Sequence, residues 1–201
     1  MPDQVLLRDQ PVGEYAAQLA DRVPAPGGGA VAALHAAQAA ALLAMVARYS
    51  DQANPEVTAA VAEADELRAE GLALAEADIA AFSAVADAYK LRTPERSTAI
   101  VAALLGAAEP QVATIEAAHR LIRLAERLLP IGNKNVITDV GAGAEAARAA
   151  AVSARLNVEI NRAGLPAGPD NDRLAASSGT VPALAARADL VTETVLRAVT
   201  R

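Results

Sequence analysis

The stretch GGGAVAALHAAQAAALLAMVAR, residues 27–48, decides the fold. No charged residue lies between Arg22 and Arg48, and about 20 apolar residues suffice to cross a bilayer. The run nevertheless carries His35 and Gln38, consists mainly of weakly hydrophobic alanine, and stands among amphipathic segments. These features predict the central helix of a bundle, surrounded on all sides by other helices. It opens at Gly27-Gly28-Gly29, after Pro24 and Pro26, and runs to about Tyr49.

The flanking sequence extends the helical reading. A first helix is expected from Val12 to Arg22, a third from Pro55 to Lys90, and a fourth from Pro94 to Leu129 with a kink or restart at Pro110. The segment Pro130-Ile131-Gly132-Asn133-Lys134-Asn135 reads as a loop, followed by a fifth helix from Val136 to Ala163. A Pro/Gly/Asp/Asn-rich loop is expected from Gly164 to Asp172, and a last helix from between Ser178 and Pro182 to the C-terminus. About a quarter of the residues are alanine, the best helix former, and only 2% are aromatic. The 201 residues therefore predict a single all-α domain, residues 1–201, built as an antiparallel bundle of about six helices.

Composition also narrows the function. The absence of cysteine excludes disulfides, thiolate metal sites and cysteine nucleophiles. Two histidines, His35 and His119, supply little for a metal centre, so none is expected. A net charge of −6 leaves no basic excess for neutralising nucleic-acid phosphates. No basic segment followed by an apolar run opens the chain, and the expectation is a cytoplasmic protein without nucleic-acid or membrane partners.

Two helices carry informative stripes. At 100° per residue, Ala64, Leu67, Gly71, Leu74, Asp78, Phe82, Val85 and Tyr89 share one face of the third helix. Asp78 is then a lone carboxylate inside an apolar stripe, and must be paired, protonated or open to a cleft. It is either a general acid or base with a raised pKa, or an acceptor that merely fixes a neighbouring loop. On the fifth helix Asp139, Gly143, Ala146, Ala150, Ser153, Asn157 and Asn161 follow one line, opposite Arg148, Arg155, Glu159 and Arg162 on an expected solvent face. The small polar stripe fits close helix packing, with an amide network, or a polar cavity. Asn133 or Asn135 fits an N-cap, and Gly27-Gly28-Gly29 fits either a tight turn or an anion site of bare helix N-terminal amides. The latter lacks the lysine and hydroxyl of a Walker motif, and no strand precedes it.

The ordered blocks Pro26-Gly27-Gly28-Gly29, Asp78-Ile79-Ala80-Ala81-Phe82, Gly132-Asn133-Lys134-Asn135-Val136-Ile137-Thr138-Asp139 and Leu156-Asn157-Val158-Glu159-Ile160-Asn161 resemble the formiminotetrahydrofolate cyclodeaminase family, which includes stand-alone methenyltetrahydrofolate cyclohydrolases. The resemblance spans nearly the whole chain. It implies a homodimeric helical bundle acting at the N5/N10 bridge of tetrahydrofolate, with a folate derivative as substrate and no covalently bound cofactor. The reaction would be cyclodeamination of 5-formiminotetrahydrofolate, hydrolysis of 5,10-methenyltetrahydrofolate, or both. Asp139 or Asp78 would transfer the proton, and Asn133, Asn135, Asn157 and Asn161 would orient substrate or water. Lys134 and the amides of Gly27, Gly28 and Gly29 would hold the anionic glutamyl tail or another acidic edge. Tyr49, Phe82 and Tyr89 could flank the substrate rings, with core packing expected for at least two of them. His35 is expected as a hydrogen-bonded core residue and His119 at the edge of an apolar face. The competing class is a non-enzymatic helical module that uses its small-residue faces for assembly.

Overall fold

The computed structural model describes residues 6–200 and contains six α-helices and no strand among them. These are α1 (Val12–Ala20), α2 (Gly28–Arg48), α3 (Pro55–Lys90), α4 (Arg96–Ile131), α5 (Ile137–Ala163) and α6 (Pro169–Val199). One-turn 3-10 helices at Leu7–Asp9 and Lys134–Val136 precede α1 and α5.

Helix α2 is the centre of the bundle. Twelve of its residues are buried, mostly alanines, on the arc that α3, α5 and α4 cover, while the strip Val31, Leu34, His35, Gln38, Leu42 and Met45 is half-buried or exposed, so α2 is not enclosed on every side as expected. Small side chains allow this: a Cβ on Gly71 of α3 would lie 2.8 Å from the Ala37 nitrogen, so the two backbones nearly touch. By length and composition α2 and α4 could each cross a membrane; within the fold the greater part of the apolar window of α2 is covered by protein instead. The neighbours run antiparallel. The start of α2 lies beside the end of α5, where Gly28 approaches Asn157, while Leu43 near its end meets Gly143 near the start of α5.

Local chemistry explains the ends. Asn54 caps α3 by accepting from the Glu56 amide at 2.9 Å, with Pro55 at the first helical position, where its missing N–H costs nothing. Helix α4 continues through Pro110 as one hydrogen-bonded element and does not restart there. The last helix differs from expectation by at least nine residues, beginning at Pro169 and running through Pro182. Gly168 adopts φ 151°, a conformation that side chains rarely reach, and so lets the chain reverse immediately before Pro169. Asp170 and Asp172 then sit in the first turn, where the helix dipole favours them, and the Asn171 amide reaches back to the carbonyls of Arg162, Leu165 and Pro166. A cluster that reads as a loop by composition is here a helix start.

The faces of α5 also differ from expectation. Three of its charged residues turn to α6: Arg148 pairs with Asp189 at 3.2 Å, Glu145 accepts from Thr192 at 2.9 Å, and Glu159 accepts from Ser178 while pairing with Arg162 within α5. The solvent face is apolar instead, comprising Ala142, Val152, Leu156 and Ile160, the last two 67% and 71% exposed. The buried face of α5, from Ile137 to Val158, sets its rotation, and the charged residues flanking that face reach α6, so charge does not mark the outside here.

Candidate active site

Asp78 sits where α3, α4 and the start of α2 meet. Gly27 caps α2 without a side chain, so the first amides of that helix need an acceptor from elsewhere. The Asp78 carboxyl supplies it, accepting from the Ala30 amide. Its Oδ1 also accepts from Gln111 Nε2 of α4 at 2.7 Å. Burial pushes the carboxyl above the ordinary carboxylate range, and the bonds from Gln111 and Ala30 oppose that rise without cancelling it. Through the Ala30 amide the start of α2 thus meets the protein's own Asp78. Gly29 is required for this meeting: a Cβ there would lie 2.5 Å from Asp78 Cγ and closer still to Asp78 Oδ1 and Gln111 Nε2.

Asp78 borders a cavity of about 310 Å³ lined by Phe82, Val85, Tyr89, Leu104, Ala107, Asn157, Ile160 and Asn161. That size lies at the small end of ligand sites, whose walls are mainly apolar with a few placed polar groups. The second half of the α3 stripe therefore lines a cleft, whereas Ala64, Leu67 and Gly71 in the first half are buried. Phe82 and Tyr89 are exposed at its wall, and Tyr49 is exposed elsewhere; none of the three is a core residue. Asn157 is half-buried, donates to the Ser153 carbonyl at 2.9 Å, and presents its remaining polar capacity beside the cavity. Arg96 lies 5.8 Å over the Tyr89 ring and, with Lys90 and Arg92, forms the positive corner adjoining the cleft.

The expected residues form two clusters, not one. Gly27, Gly28, Gly29, Asp78, Asn157 and Asn161 converge at one end of the bundle. Asn133, Lys134, Asn135 and Asp139 lie at the other, about 27 Å away for the 18 residues of α5 between Asp139 and Asn157. Local bonds account for much of this second cluster. Asn133 caps the 3-10 turn through the Asn135 amide at 2.9 Å, and its own amide donates to the Tyr49 carbonyl at 2.7 Å. Lys134 Nζ donates to the Leu129 carbonyl at 2.7 Å, satisfying the end of α4. Asp139 is half-buried in the first turn of α5. Antiparallel packing of α2 and α5 forces the separation, because the two motifs flank opposite ends of one long helix.

His119 bonds Thr180 of α6 at 3.0 Å, and burial, followed by Arg187 and Arg123, holds it below its ordinary value. His35 is half-buried on α2. Among the described residues, no three His, Cys, Asp or Glu side chains gather where they could hold a metal ion. Sequence reading missed Gln111. Its signal was present, since Leu104, Ala108, Gln111, Ile115, Ala118 and Ile122 repeat at three- and four-residue spacing, and Gln111 is the polar member of that stripe.

A family model described as formiminotransferase-cyclodeaminase matches residues 11–175. The chain is 34% identical over 159 residues to the methenyltetrahydrofolate cyclohydrolase of Methylorubrum extorquens, a match covering 73% of this chain and 76% of that protein. It is 31% identical over 172 residues to the formimidoyltransferase-cyclodeaminase of Mus musculus, covering 80% of this chain but only 32% of that longer protein. The crystal structure of formiminotetrahydrofolate cyclodeaminase from Thermotoga maritima superposes with a TM-score of 0.83 at 26% identity, over 95% of this chain and 96% of that one. With its sequence matched over most of its length and its fold shared throughout, this chain belongs to the formiminotransferase-cyclodeaminase family.

Proposed function

We propose that the chain is a cytoplasmic folate enzyme acting at the one-carbon bridge between N5 and N10 of tetrahydrofolate. It hydrolyses 5,10-methenyltetrahydrofolate to 10-formyltetrahydrofolate, cyclodeaminates 5-formiminotetrahydrofolate with release of ammonia, or does both. The observation that carries this reading is Asp78: a carboxyl with a raised pKa, bordering an aromatic- and amide-lined cleft, in a chain whose named relatives act on these folates. In the hydrolysis, water oxygen adds to the electrophilic methenyl carbon while the Asp78 carboxylate takes its proton. That proton then passes to N5 as the N5–carbon bond breaks, and the remaining hydroxyl proton is released to solvent as its oxygen becomes the carbonyl of the formyl group left on N10. Cyclodeamination runs on the same groups: N10 attacks the formimino carbon, Asp78 carries the N10 proton to the formimino nitrogen, and the carbon–nitrogen bond breaks to release ammonia and the methenyl product. Asn157 and Asn161 orient the ring or the water, and Phe82 and Tyr89 flank its faces. The glutamyl carboxylates leave the cleft past Tyr89 toward Lys90, Arg92 and Arg96, where an acidic protein keeps local positive charge.

The active form in this reading is a homodimer paired through α5. A seam of exposed Ala142, Val152, Leu156 and Ile160 with half-buried Ala149, interrupted by the exposed Glu145, runs along that helix and faces away from the core of the described residues. An antiparallel two-fold contact centred near Ala149 sets the Asp139 end of one α5 beside the Asn161 end of the other. Asn133, Lys134, Asn135 and Asp139 of one subunit thereby reach the Asp78 cleft of its partner, and the two clusters become one site.

Loss of the near-ultraviolet absorbance of methenyltetrahydrofolate, and ammonia release from formiminotetrahydrofolate, test the activity and separate the two reactions. Failure of both with dimeric protein would leave the seam as the surface of an assembly module. Mixing dissociated Asp78→Asn and Asp139→Asn subunits tests the shared site, since heterodimers would carry one intact site and restore about a quarter of wild-type activity. No recovery after mixing, with exchange verified, would return both aspartates to separate roles.

A further inference from the structure

Among the described residues, three polar side chains are fully buried: Gln111, Thr114 and Ser178. Thr114 donates to the Pro110 carbonyl at 2.8 Å, and Ser178 donates to Glu159. Gln111 differs. It is 1% exposed, its Nε2 donates to Asp78 Oδ1, and its Oε1 has no hydrogen-bond partner. An unpartnered buried acceptor is unfavourable, and methionine or leucine would fill the same space without that penalty. The bond to Asp78 is what glutamine provides there and an alkyl chain would not. The backbone is shaped to the same pair, because the missing Cβ of Gly29 leaves room for both Asp78 Oδ1 and Gln111 Nε2.

We propose that Gln111 is the positioning residue for Asp78, holding Oδ1 against the start of α2 so that Oδ2 is the oxygen that exchanges the proton with substrate in the cleft. The role of Asp78 in proton transfer belongs to the function proposed above; the clamp itself does not depend on it. Neighbouring ionisable groups are engaged elsewhere. On α3, Glu76 pairs with Arg8; on α4, Glu109 pairs with Arg173; on α5, Glu159 pairs with Arg162 and bonds Ser178. The start of α2 carries no charge, and only burial, Gln111 and the Ala30 amide govern Asp78. The bond from Gln111 favours the ionised carboxyl, so its removal raises the pH at which Asp78 ionises.

The test reads the wild-type chain first, by NMR. The Gln111 side-chain amide protons should titrate with the same midpoint as the Asp78 carboxyl carbon, and that titration should vanish in Asp78→Asn. In Gln111→Met, with Gln111→Leu as the second variant, the Asp78 midpoint should move upward. With methenyltetrahydrofolate, kcat should fall on the order of tenfold while KM stays within about twofold, because Gln111 does not touch substrate. Gln111 amide protons indifferent to Asp78 ionisation overturn the inference, as does an unmoved midpoint in a folded variant. The NMR measurements need no substrate, so they decide the clamp even if no folate is turned over.

Discussion

Replacing Gly29 by alanine tests the close approach of Asp78 and Gln111 to the start of α2. In an open helix position the change would be favourable by up to about 1 kcal/mol, because alanine loses less conformational freedom than glycine. At Gly29 the new methyl would lie 2.5 Å from Asp78 Cγ, against about 3.5–4.0 Å for a relaxed contact, and nearer still to Asp78 Oδ1 and Gln111 Nε2. Relief requires the Asp78–Gln111 pair to separate from α2. Overpacking of a core costs about 1–3 kcal/mol, and a lost hydrogen bond to a charged group costs about 1.5–3 kcal/mol. Less the helix gain, a net loss of about 1.5–5 kcal/mol results, which for a chain of this size lowers Tm by roughly 3–20 °C. Two controls bracket it: Gly28→Ala meets only Asn157 Nδ2 at 3.7 Å, and Gly179→Ala meets nothing within 4 Å. Thermal melts of the three variants, followed by circular dichroism at one pH, should rank Gly179→Ala at or above wild type, Gly28→Ala near it and Gly29→Ala well below. Folate turnover should fall with Gly29→Ala as the carboxyl is displaced. A Gly29→Ala variant as stable as wild type would refute the close approach and the clamp built upon it.

Other expectations follow from the same geometry. The Asp78 carboxyl ionises at higher pH in the folded chain than in the unfolded one, so the unfolded chain releases this proton first as pH rises. Its contribution to stability is fully present below the ordinary carboxylate range and is lost as pH rises through the raised value. Urea unfolding across that range should show Asp78→Asn losing less stability than wild type, and parallel curves would contradict the shift. His119 gives the opposite sign. Held below its ordinary value, it disfavours the fold as pH falls through about 6.5, and His119→Gln should flatten the stability curve in that window. Leu156→Lys places a charge on the α5 seam, where the residue is 67% exposed; sedimentation should find a folded monomer with little activity. An active dimer in that variant would place the subunit contact elsewhere.

Helix positions were largely legible because alanine content, proline starts and glycine stops are local signals. Pro55 with Asn54 marks the start of α3, and Lys90 marks its end, as the sequence reading has it. The start of α6 was not legible, since it depends on Gly168 taking φ 151° and on Asn171 reaching back to α5. The exposed face of α5 is not legible from charge, because arginine and glutamate ordinarily mark solvent whereas Arg148 and Glu159 bond residues of α6.

The chain's order of residues fixed an all-helical bundle with an alanine-rich central helix, and it singled out Asp78 as a carboxylate set in an apolar stripe. Periodicity carries that information because each residue's direction follows from its neighbours along the same helix. Which motifs meet was decided only in three dimensions. Antiparallel packing of α2 on α5 brings Gly29 and Asn157 to Asp78 and carries Asn133 and Asp139 about 27 Å away along α5. The Gln111 bond likewise joins residues 33 positions apart, on helices whose relative rotation is set by the packing of many side chains at once, and no local pattern specifies it.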